Sequence, residues 1–204
     1  MAEGPGVLIV LEGIDGSGKS TLARGLEEAV EARGFRVVRT REPTDGPIGK
    51  QIRALAATGR GGVTPEQEFQ LFHADRTTHV AEVVRPALAR GDVVIQDRSY
   101  FSTVAYQGQR GLDRARLLRE SESIAPRPDL LLVIDLPVET AIERIRTSRR
   151  SSDDFESKTT LEEVRRAFLA FEGAVVLDGT RNSDEVLRSA LPHVLSKLPE
   201  PKRD

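Results

Sequence analysis

Gly13, Ile14, Asp15, Gly16, Ser17, Gly18, Lys19 and Ser20, followed by Thr21, form the stretch whose residue types and spacing most directly imply chemistry. Glycines let backbone N–H groups converge on phosphate oxygens without Cβ clashes. A helix starting near Lys19 aims the positive end of its dipole at the same anion. Lys19 can reach the β- and γ-phosphates of a nucleotide, and the Ser20 hydroxyl can ligand Mg²⁺. A chance glycine-rich turn is the bland alternative. The strand-like run before the loop and the helical pattern after it supply the context that favours phosphate binding.

A phosphate loop serves many reactions, so other residues must select among them. The Asn-Lys-x-Asp pattern of guanine readers is absent. Asp97 and Asp135 each close an apolar run, where a carboxylate suits a metal or a strand-end cap. Asp135 alone reads as a cap. Asp97 is followed by Arg98, which sets a metal-facing carboxylate beside a phosphate-facing guanidinium where ligands of parallel sheets bind. Arg53, Arg76 and Arg98 are candidates to hold an acceptor phosphate by bidentate contacts. Arg144, Arg146, Arg149 and Arg150 are basic residues at a helix end, and beside a phosphate loop they suggest a lid over residues 147–158. Phe72 could stack on a planar base, but with Phe69 one turn earlier its spacing reads equally as core filling.

These residues need a frame. Apolar runs at 7–11, 35–39, 93–95, 130–134 and 174–177 read as five strands. Helical patterns fill 19–33, a short segment around Ile48, Ile52 and Leu55, 65–90 and 138–146. Thr160 to Glu163 fits a capping box opening a helix to Phe171, and Ser183 is placed to cap a last helix. Strands apolar on both faces, alternating with helices, predict an α/β fold: a three-layer arrangement with a five-stranded parallel sheet between helices.

Composition agrees. The 204 residues, 38% hydrophobic and 30% charged, suit one compact globular domain over 1–204. A net charge of -2 argues against a dedicated nucleic-acid binder, though one small anion needs only a local basic cluster. There is no cysteine, so disulfides, thiolate catalysis and cysteine-bound zinc are excluded. The apolar run at 7–11 is too short for a membrane span or a signal-peptide core, which leaves the cytoplasm as the expected location.

Taken together, these motifs resemble the thymidylate kinase family, bacterial type. Glu12 to Thr21 looks like its phosphate loop, and Thr40-Arg41-Glu42-Pro43 is similar to its second-strand motif. Leu71 to Arg76 with His79 resembles its nucleobase helix. Asp97-Arg98 and Ser102 to Gly108 match the stretch after the third strand, and Val164 to Phe168 the helix after the lid. The resemblance implies a P-loop kinase fold and transfer of the γ-phosphoryl group of ATP, with Mg²⁺, to dTMP.

It also implies roles. Residues 13–21 and Arg144 would bind ATP. Asp15 would meet the 3′-hydroxyl of dTMP. Phe72 would stack on thymine, Arg76 would bond its exocyclic oxygen, and Thr103 would sit at the base edge. Tyr106 would lie near the sugar; Glu42 and Gln107 would line the same pocket. Arg53 and Arg98 would hold the acceptor phosphate. Ser20 and Asp97 would hold Mg²⁺. The loop contains no arginine, so Arg149 and Arg150 of the lid would bring catalytic charge beside Lys19, Asp15 and Arg98. The resemblance further implies a homodimer. Thr44-Asp45, Ser99 and Asp154 differ from the usual residues at their positions. A kinase for another nucleoside monophosphate and a non-catalytic ATP-binding regulator are the rival readings.

Overall fold

The computed structural model describes residues 6–59, 61–148 and 158–199. The five strands are β1 (Val7–Glu12), β2 (Val37–Arg41), β3 (Val93–Asp97), β4 (Leu130–Asp135) and β5 (Val175–Asp178). They form one sheet in the order β2-β3-β1-β4-β5, with every pairing parallel. The helices are α1 (Lys19–Glu31), α2 (Pro47–Ala57), α3 (Pro65–His79), α4 (Arg85–Ala89), α5 (Tyr100–Gln109), α6 (Arg114–Glu122), α7 (Val138–Ser148), α8 (Lys158–Leu169) and α9 (Ser183–Leu195).

Side-chain alternation in the strands builds the layers. Val7, Ile9 and Leu11 of β1 join Leu22, Leu26 and Val30 of α1 and Val186, Ala190 and Val194 of α9 in one core. Leu8 and Val10 point the other way, into a core with Ala105, Val138, Ala141, Val164 and Phe168. Both faces of a central strand are therefore apolar, as a parallel sheet covered on each side requires. Glu12 continues the parity of Leu8 and Val10, so it enters the second layer where α5 begins.

Several expected boundaries shift. β2 spans Val37–Arg41 rather than 35–39, because Gly34 turns with φ +85° and the ladder to β3 begins at Val37 opposite Val93. The expected helix 65–90 widens at Val80–Val84, where Arg85 N–H donates to Val80 O, five residues back. Pro86 follows, and without an N–H it cannot continue the regular ladder. Thr160 lies inside α8, which starts at Lys158, so it does not cap that helix. The last helix is capped by Asn182: its side chain accepts from Glu185 N–H while Glu185 accepts from Asn182 N–H. Ser183 is its first residue. Helices α5 and α6 had no counterpart in the periodicity reading. The expected lid residues Arg149 and Arg150, with Asp154, lie outside the described residues.

Candidate active site

The phosphate loop leaves β1 at the centre of the sheet, between β3 and β4; the chain runs from β1 to β2 on one side, and from β3 across to β4 on the other. That is the switch point at which α/β sheets bind ligands. A Cβ on Gly13 would stand 2.6 Å from Ile134 O, and one on Gly16 2.5 Å from Ala141 O, so the loop packs directly on β4 and α7. Gly18 takes φ +97° with open space around it, and no side chain caps the N-terminus of α1. The first N–H groups of α1 are thus free to meet an anion. Lys19 Nζ donates to Gly13 O (3.0 Å) and Ile14 O (2.9 Å). Burial, reinforced by the charge of Arg98, lowers its pKa to about 8. Ser20 Oγ donates to Asp97 Oδ2 at 2.6 Å, at the edge of a groove of about 590 Å³ that also runs past Arg41, Asp45 and His79.

Arg98 follows β3 with φ +68°, a left-handed conformation uncommon for a residue with a side chain. Its surroundings enforce it. Its N–H donates to Leu11 O (2.9 Å), and Gln96 Nε2 donates to its carbonyl (2.9 Å). Its guanidinium donates to Asp15 Oδ1 (2.6 Å) and Ser102 Oγ (2.9 Å) and lies 5.5 Å from the centre of the Tyr106 ring. Burial opposes that charge, but Asp15, then Tyr106, Glu12 and Asp97, hold its pKa well above the usual value.

Beside Arg98 a cavity of about 140 Å³ is lined by Asp15, Glu42, Pro43, Glu68, Phe72, Arg76, Arg98, Ser99, Ser102, Thr103, Tyr106 and Gln107. Phe69 is fully buried in a small core with Val104 and Leu117, whereas Phe72 faces the cavity, which separates two phenylalanines that spacing could not. Arg76 is 1% exposed; it donates to Glu42 Oε2 through Nε (2.9 Å) and to Thr103 Oγ1 through Nη2 (2.9 Å). Its Nη1 and the Oε1 of Gln107 are buried without a protein partner. Glu42 also meets His79 Nδ1 (3.1 Å) and Gln96 Nε2 (3.2 Å). Burial pushes its pKa up, but the charge of Arg76 and the His79 contact outweigh that and hold it below the usual value.

The fold thus brings together most of the expected site: the loop with Asp15, Lys19 and Ser20, then Glu42, Phe72, Arg76, Asp97, Arg98, Thr103, Tyr106 and Gln107. Arg53 stands apart from the cavity lining, donating to Pro43 O (2.8 Å) and Asp45 Oδ1 (3.0 Å). Arg144 is half-buried on α7, one turn beyond Ala141 where the loop packs. Asp135 is bonded by Arg165 of α8 through Nε (2.6 Å) and Nη2 (2.9 Å), a structural tie. Motif reading gave no role to Glu12, Gln96, Ser102 or His79. Strand parity was the available signal for Glu12, since it places a carboxylate in an apolar layer.

A phosphate loop at the switch point, an oxygen pair beside it and an adjoining cavity lined by arginines define a P-loop phosphotransferase. The model of the thymidylate kinase family matches residues 11–190. Over 195 residues the chain is 47% identical to the thymidylate kinase of Xanthomonas euvesicatoria pv. vesicatoria (strain 85-10), covering 95% of this chain and 85% of the relative. It is 42% identical over 194 residues to that of Xylella fastidiosa (strain 9a5c), covering 94% and 92%. The chain belongs to the thymidylate kinase family.

Proposed function

We propose that the chain transfers the γ-phosphoryl group of ATP to the 5′-phosphate of dTMP, giving dTDP and ADP. The observation that carries this reading is a pair of buried, unmet groups on residues that line the acceptor cavity: a donor on Arg76 Nη1 and an acceptor on Gln107 Oε1. Thymine offers the complement, a 4-oxo acceptor beside an N3–H donor. Phe72 supplies a face for the ring, and Tyr106 crowds the sugar.

An acceptor phosphate oxygen attacks the γ-phosphorus in line, and the bond from that phosphorus to the β–γ bridging oxygen breaks. The attacking oxygen is already anionic near neutral pH, so no strong base is needed. Catalysis is positioning and charge neutralisation. The loop amides and Lys19 hold the donor, Arg98 and Arg53 the acceptor phosphate, and Asp15 the 3′-hydroxyl. Arg53 must leave Asp45 to do so. Arg149 and Arg150 act from the lid, and Arg144 lies on the donor side. Ser20 and Asp97 would hold Mg²⁺; a hydroxyl and a carboxylate 2.6 Å apart are hard oxygen donors of the kind that ion takes beside nucleotide phosphates. When bound, the ion neutralises phosphate charge. The active species is a homodimer, which light scattering would report as twice the chain mass.

Initial rates with Mg·ATP and dTMP, dUMP, dCMP or UMP test the reading. We expect dTMP to be the best acceptor. dCMP should be slower by roughly 10²-fold or more, because its amino group and bare N3 face Arg76 and Gln107 with the wrong polarity. A better rate with another monophosphate would refute the substrate assignment.

A further inference from the structure

Glu12 is a fully buried carboxylate to which the transfer reaction assigns no part. Burial pushes its pKa up, while Arg98, Ser102 and Ser99 act against that rise. Its Oε1 accepts from Ser99 N–H (2.8 Å), Ser99 Oγ (3.2 Å) and Ser102 N–H (3.1 Å). Its Oε2 accepts from Ser102 Oγ at 2.6 Å. Ser102 Oγ in turn accepts from Arg98 Nη1 at 2.9 Å. A hydroxyl has one proton, so by giving it to Glu12 the Ser102 oxygen is left with lone pairs facing the guanidinium. Arg98 closes the path on Asp15 at 2.6 Å. Glu12 and Asp15 both belong to the segment that runs from β1 into the phosphate loop. The guanidinium is thus held from two points flanking the start of that loop.

A carboxylate that only anchored the first turn of α5 would need the two backbone N–H groups and nothing more. The second oxygen, the short bond to the hydroxyl and the onward bond to Arg98 give it another consequence. We propose that Glu12 is a positioning residue for the acceptor phosphate: it fixes Ser102, Ser102 fixes Arg98, and the end of β1 thereby sets the acceptor phosphate relative to the donor loop that begins at Gly13. This rests on Arg98 being the ligand of the acceptor phosphate.

The test uses the full chain and calorimetric titration with dTMP, with thymidine, which lacks the phosphate, and with ATP alone. The proteins are wild type, Ser102→Ala, Glu12→Gln and Arg98→Ala. We expect Ser102→Ala and Glu12→Gln to weaken dTMP binding roughly ten-fold, the order of one lost hydrogen bond to a charged group. Thymidine and ATP binding should change by less than about two-fold, because Phe72, Arg76 and Gln107, which face the base, and the loop amides are unaltered. Ser102 is only partly buried, so its alanine variant carries the test if Glu12→Gln fails to fold. Equal losses for dTMP and thymidine in Ser102→Ala would make the relay merely structural and overturn the proposal. Wild-type dTMP binding in Ser102→Ala, with a large loss in Arg98→Ala, would also overturn it. Unchanged dTMP binding in Arg98→Ala would instead remove the phosphate role of Arg98, and the proposal with it.

Discussion

Lys19 folds back onto the carbonyls of its own loop, where burial brings its pKa to about 8. The charged form is the one that attracts a polyphosphate. As pH rises through about 8 the free protein loses that proton, so each ATP bound must bring one in. ATP binding measured by calorimetry should therefore weaken above pH 8, and Lys19→Arg, which keeps its charge, should flatten the profile. Lys19→Ala should lower the transfer rate by roughly 10²- to 10⁴-fold, since it removes a fixed positive charge from the reacting phosphates. Wild-type turnover in that variant would take the loop out of the mechanism. In the acceptor cavity, Arg76→Ala leaves Glu42 buried with one cation fewer and the base without its donor. We expect a KM for dTMP higher by roughly 10- to 100-fold, read from initial rates.

The helices and strands that carry these residues can be tested separately. Leu26 of α1 is fully buried against β1, and Leu26→Ala should destabilise the fold by about 2–5 kcal/mol in denaturant unfolding, with the active-site residues unaltered. Arg165→Ala cuts the tie between α8 and the end of β4. Both side chains are about a quarter exposed, so the loss should be nearer 1 kcal/mol. Much of this layer was legible in the sequence, because strands buried on both faces and an unbroken phosphate motif leave few alternatives. What escaped was what tertiary contact decides. α5 shares its surface between the core and the cavity, so Ser102, Thr103, Tyr106 and Gln107 blur the apolar stripe that marks a helix. Phe69 and Phe72 share one helix and one residue type, and only the fold sends one to the core and the other to the cavity. Arg53, expected at the acceptor phosphate, is bonded to Asp45, a contact that residue type and spacing do not reveal.

In the molecule as a whole, the phosphate loop and the cavity beside Arg98 lie at the carboxyl ends of β1 and β3, so on the proposed reading one sheet registers both phosphates. The cationic groups there, Lys19, Arg76 and Arg98, sit in a chain of net charge -2, which makes the attraction for anions local. Among the described residues, no helix is long and apolar enough to cross a membrane. If Arg149 and Arg150 complete the site from the lid, replacing both with alanine should lower kcat by roughly 10²- to 10³-fold while dTMP binding to the free protein stays within about two-fold, as charge acting on the transition state requires. The most direct test of the central claim follows the phosphoryl group itself, using γ-labelled ATP, Mg²⁺ and dTMP. Label should appear in the β-phosphate of dTDP in step with ADP, one for one. Label released as inorganic phosphate, or ATP bound and never turned over, would contradict phosphoryl transfer to dTMP.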